Sequence, residues 1–125
     1  MRGIASYKNV ALESSDQRKL VVMCFEALIR RQKQAQSYLA DGKYVAANED
    51  LRICREIFCE LLLALDEEPS PDLTSNLASL YDFCIRELIA VGNDHDASHL
   101  EGTLRVTQLL HDGFKAAFDG EGEEK

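Results

Sequence analysis

Basic side chains are in short supply: the 125-residue chain has 14 Lys and Arg against 22 Asp and Glu, a formal charge of -8. Phosphate contacts need a clustered Lys/Arg surface, so the deficit argues against a nucleic-acid binder and against a basic membrane-surface helix. Nor is there an apolar run of the ~20 residues that a membrane span needs; the longest near-continuous one is Leu20 to Ile29. The start, Met1-Arg-Gly-Ile-Ala-Ser6, has no apolar signal core. The expectation is a cytoplasmic protein with no membrane insertion. Strand-like alternation and hairpin dipeptides are missing, which removes a β-sheet fold. The four cysteines, Cys24, Cys54, Cys59 and Cys84, contain no C-x-x-C pair, and each falls inside an apolar helical stripe. They read as buried, reduced thiols, not as zinc ligands.

Hydrophobic residues make up 46% and charged residues 29%, enough apolar material for one globular domain with a real core. The charge is uneven. Residues 1–60 hold ten basic and eight acidic side chains, whereas residues 61–125 hold four and fourteen, so the acidity belongs to the second half.

Two prolines, Pro69 and Pro71, sit in one short linker, and glycines mark most other breaks. Ser14, Ser15 and Asp16 offer N-cap oxygens to a first helix that runs to about Ala40, where Asp41-Gly42 supplies a left-handed stop. A second helix is expected over about 43–65, with Leu51, Cys54, Ile57, Phe58, Leu61, Leu62 and Leu65 spaced by three or four. A third, over about 72–91, carries the stripe Leu73, Leu77, Leu80, Tyr81, Cys84, Ile85 and Leu88, and Gly92-Asn93 closes it. A fourth, over about 96–118, buries Leu100, Leu104, Thr107, Leu110 or His111, Phe114 and Phe118. It contains Gly102 and Gly113, each costing about 1 kcal/mol against alanine. Four helices with short connections predict an all-α fold, an antiparallel four-helix bundle over 14–118. Residues 1–13 fit no helix but carry Ile4, Tyr7, Val10 and Leu12, which predicts an N-terminal segment that docks on and caps the bundle. Residues 119–125 have no apolar side chain and read as an acidic solvating tail.

Chemistry is hard to find. A di-iron bundle needs Glu-x-x-His on two helices, and no Glu here has a His three residues later. His95 and His99, spaced i, i+4, would share a helix face and suit a transition metal, which keeps a metal-dependent helical enzyme as an alternative. No nucleophile elbow or phosphate-cradling loop is present. The sequence therefore predicts no enzyme, no cofactor and no metal site. What exceeds the needs of a bundle is apolar surface. Leu20 to Ile29 is apolar almost all round, and the 53–65 stretch shows the same excess, whereas a packed helix needs a stripe about 100° wide. Both central packing and a partner groove account for that excess.

The order of several fixed residues resembles the flagellin export chaperone family, FliS. The resemblance runs from Tyr7-Lys-Asn-Val10 through Ser15-Asp16, Phe25-Glu26, Gly42, Ala47-Asn48, Glu60-Leu61 and Leu65-Asp66 to Asn76-Leu-Ala-Ser-Leu-Tyr-Asp82. The last is similar to the family's N-L-x-x-L-Y-D segment. Phe25-Glu26-Ala27 stands where the family often has Tyr-Asp/Glu-Gly, Gly92 where Asn is common, and Phe114 where Trp is frequent. The resemblance implies a cytoplasmic flagellar secretion chaperone. Such a protein binds the disordered C-terminal region of flagellin, which folds on its apolar flanks, blocks premature polymerisation and assists export, with the flagellar export gate as a further contact. It implies an N-terminal segment, with Ile4, Tyr7 and Val10, that covers part of the surface and moves on binding. Ile57, Leu61, Asn76, Leu77 and Tyr81 are the candidate partner-binding residues on the bundle. A chaperone or adaptor for another exported protein is the alternative on the same fold.

Overall fold

The computed structural model describes residues 15–65 and 71–123, which form four helices. These are α1 (Ser15–Ala40), α2 (Tyr44–Leu63), α3 (Pro71–Asp94) and α4 (Ser98–Glu123). The expected capping segment 1–13 lies outside the described residues.

Helix α1 stops where the Asp41-Gly42 pair predicts. Gly42 takes φ of 72°, the Gly42 amide donates to the Leu39 carbonyl (3.1 Å) and the Lys43 amide to the Tyr38 carbonyl (2.8 Å). That pair of bonds is a Schellman closure, which needs a left-handed residue and so favours glycine. The second glycine stop is not where the sequence placed it. Helix α3 runs through Gly92 to Asp94, and the left-handed position is His95, at φ of 60°. Its ring stacks on Tyr44 with centroids 4.0 Å apart. The stack contributes contact energy that offsets the cost of a non-glycine residue in that region. Asp96 then opens α4, its Oδ1 accepting from the Ser98 amide at 3.0 Å. At the other end α4 continues to Glu123, past the expected helix end at 118.

Each helix packs against two others, α1 against α2 and α4, and α3 against α2 and α4, in a square arrangement. Phe25, Leu28, Leu51, Phe58, Cys84, Leu88 and Leu100 fill the core, with Phe25 stacked on Phe114 at 5.4 Å. One buried cluster is polar. Gln32 Nε2 donates to Thr107 Oγ1 (3.0 Å), Thr103 Oγ1 donates to Gln32 Oε1 (2.6 Å), and Thr107 Oγ1 donates to the Thr103 carbonyl (2.6 Å). Because every polar atom of this cluster side chain is paired, the cluster fixes the register of α1 on α4 without leaving an orphaned group.

Candidate functional site

Exposed apolar side chains occur along two seams and also outside them, at Val45, Leu63 and Ile89. Between α1 and α2, Arg31 Nη1 donates to Asp50 Oδ1 at 2.9 Å, which shows which rows of the two helices face each other. Helical spacing extends those rows. Going back from Arg31, the α1 row holds Ala27, Cys24 and Leu20; going forward from Asp50, the α2 row holds Ile57 and Leu61. Leu20 is exposed, Ile57 and Leu61 are half-buried, and Met23 stands beside the row at 58% exposure. Asp50 is buried, and its Oδ2 has no protein partner.

Between α3 and α4, two contacts define the rows. A Cβ at Gly102 would lie 3.5 Å from the Phe83 ring, and His99 Nδ1 is 3.3 Å from Glu87 Oε1. The α3 row is then Glu87, Phe83, Leu80 and Asn76, and the α4 row is His99, Gly102, Val106, Leu110 and Gly113. Leu80, Phe83 and Asn76 are exposed, while Leu77, Val106 and Leu110 are half-buried against the core and form the floor. Leu109 stands outside the α4 row at 67% exposure. The Phe83 ring covers Gly102 at ordinary contact distance, whereas nothing lies within 4 Å of where a Cβ would sit at Gly113.

The structure thus divides the residues that the sequence put forward. Ile57 and Leu61 lie on the α1–α2 seam; Asn76 and Leu77 lie on the α3–α4 seam, on the far side of the bundle. Tyr81 lies deeper, 2% exposed, with its ring 6.1 Å from Phe58 in the core. Ile4, Tyr7 and Val10 lie outside the described residues. The sequence reading placed Leu80 and Leu73 in the core stripe of the third helix, but both are exposed. Leu73 occupies the first turn of α3, at the end of the bundle. Leu80 is rotated off the buried line Tyr81, Cys84, Leu88 and Val91. Phe83 and Leu109 were missed outright, although they fall outside any 100° core stripe and are too large to be exposed without cost.

Nothing along the seams is set up for catalysis. Burial pushes the Cys54 and Cys84 thiols up to about 12, leaving them protonated and inert. The metal reading fails on geometry. His95 lies in the α3–α4 connection, stacked on Tyr44, and His99 lies in α4 facing Glu87 and Asp94, so the two do not share a helix face. Among the described residues no group of three His, Cys, Asp or Glu side chains is placed to hold a metal. Among the described residues no helix is long and apolar enough to cross a membrane.

The model of the family described as "Flagellar protein FliS" matches residues 1–121. The flagellar secretion chaperone FliS of Escherichia coli strain K12 is 27% identical over 122 residues, covering 91% of this chain and 88% of its own. That of Salmonella typhimurium strain LT2 is 32% identical over 104 residues, covering 79% and 77%. A crystal structure of a bacterial flagellar chaperone superposes with a TM-score of 0.79 at 23% identity, over 96% of this chain and 98% of that one. At that identity it is a likeness of fold.

Proposed function

The chain belongs to the FliS family of flagellar secretion chaperones and is not an enzyme, and on that premise we propose that it binds the C-terminal region of flagellin along its two apolar seams. The observation that carries this reading is the exposed apolar lining of both seams: Leu20 and Met23 on one side, Leu80 and Phe83 on the other. Monomeric soluble proteins rarely leave such surface uncovered unless a partner uses it. An amphipathic segment that is unstructured when free meets its ordering entropy by burying apolar side chains against these rows as it turns helical. While so bound, the segment is unavailable for polymerisation. Ile57 and Leu61 would contact it on the first seam, and Asn76 and Leu77 on the second, with Asn76 able to hydrogen-bond a helix end. Tyr81 contributes from beneath by holding the floor. The N-terminal residues Ile4, Tyr7 and Val10 would compete for the same surface, and a cytoplasmic location with delivery to the export gate completes the role.

The test is gel filtration of the purified chain mixed with the flagellin of its own organism, intact and lacking its C-terminal segment. Complex formation with the intact protein alone supports the proposal; failure to bind intact flagellin overturns it.

A further inference from the structure

Helix α4 carries the two histidines that face other helices, one towards each neighbour. His99 Nδ1 lies 3.3 Å from Glu87 Oε1 and its Nε2 3.3 Å from Asp94 Oδ2, both on α3. His111 Nε2 lies 3.2 Å from Glu26 Oε2 on α1, and its Nδ1 2.9 Å from Asp112 Oδ1 on α4 itself. A neutral imidazole has one N–H, whereas an ionised carboxylate only accepts. Both carboxylates can therefore accept from the ring at once only when it is doubly protonated. The two sites share this requirement although they lie on different faces of the helix.

From this geometry we propose that His99 and His111 form a pH-sensitive clamp on α4, closed when both rings are imidazolium and loosened when they lose a proton. The groups facing the rings agree. His99 meets Glu87 and Asp94 from α3 and feels Asp96 just before its own helix; His111 meets Glu26 from α1 and Asp112 from α4. Among the described residues none of the groups acting on either ring is basic. The hydrogen bonds to Glu87 and to Asp112 are the largest causes that raise the two rings above the ordinary histidine value of 6.5. A raised folded-state value means that the clamp is fully engaged below that ordinary value and is lost as pH rises through the raised one. Gly102 and Gly113 weaken α4 internally, and it forms one side of the α3–α4 seam. The clamp is a property of the free chain and holds or fails independently of what that seam binds.

Hydrogen–deuterium exchange of the full chain at about pH 5.5 and about pH 8, corrected for intrinsic exchange, reads it directly. Protection of α4 amides between His99 and His111 should fall on the order of two- to tenfold relative to α2, which has no histidine, as pH rises. A His99→Gln/His111→Gln variant should show no such relative fall, while His95→Gln, which removes the stack on Tyr44 and leaves both bridges in place, should retain it. An α4 protection independent of pH, or a dependence that survives the double substitution, overturns the clamp. Should the double variant fail to fold, NMR titration of the unmodified chain decides. The His99 and His111 rings must stay protonated above the ordinary histidine range, and loss of the proton at or below it overturns the proposal.

Discussion

The α1–α2 and α3–α4 seams lie on opposite sides of one bundle, and both expose apolar rows, yet they are held together differently. The first is pinned by an ion pair with one buried member: the Asp50 side chain is 6% exposed and that of Arg31 33%. The second is tied near its end by a half-exposed histidine bridge, with the Phe83 ring packed over Gly102 next to it. Their charge differs too. Arg30 and Lys33 are exposed on α1, whereas the 61–125 half holds fourteen acidic side chains against four basic. Similar apolar rows are thus anchored differently, by a partly buried ion pair on one side and by a histidine bridge between carboxylates on the other.

The comparison breaks most readily at the ion pair. Arg31→Met leaves the Asp50 carboxylate buried without its partner and should destabilise the fold by about 2–3 kcal/mol, allowing for the partial exposure of Arg31. Urea unfolding measures it, and Arg31→Met/Asp50→Leu should recover most of the loss. Removing the corresponding tie on the other seam, by His99→Gln, should shift the same curve far less.

Binding provides the next largest contrast. If the chain binds flagellin as proposed, Leu80→Asp on one seam and Leu20→Asp on the other should each weaken that complex about tenfold, on the order of 1.4 kcal/mol, with a smaller cost to folding at Leu20, the more exposed of the two. Titration calorimetry separates the cases: an effect from one seam alone would confine the partner to that side.

A smaller and opposite effect is expected from Gly113→Ala. No atom lies within 4 Å of the added Cβ, so the helix gains stability, about 1 kcal/mol, read as a rise in melting temperature. Gly102→Ala meets the Phe83 ring at ordinary contact distance and should gain less. The least of these effects is that of pH. Stability from the raised His99 and His111 should be complete below about pH 6.5 and fall as pH rises further, seen as a lower urea midpoint at about pH 8 than at about pH 6.

Much of the architecture was legible in the residues. The Gly42 stop, the Pro69–Pro71 break and the three-and-four spacing of apolar side chains mark four helices, because each reflects a local preference of the backbone. The errors have physical causes. Gly92 reads as a stop, but α3 continues past it to Asp94 and His95 takes the left-handed conformation while stacked on Tyr44, a contact between residues far apart in sequence. Leu73 and Leu80 read as core because spacing alone does not say how wide the buried sector is or where the neighbouring helices end. Of the candidate site, Ile57, Leu61, Asn76 and Leu77 were named from the sequence, but their division between two opposite seams was not visible there.

By itself the sequence determined the number of helices, the acidity of the second half, the surplus of apolar residues and the family. Local backbone preferences and residue order carry that information. Only the tertiary structure decided that Tyr81 turns inward while Leu80 is exposed, that Gln32 is buried with Thr103 and Thr107, and that His99 and His111 each bridge two carboxylates. Periodicity gives the angle of a side chain around its own helix; what lies at that angle depends on where the other helices pack.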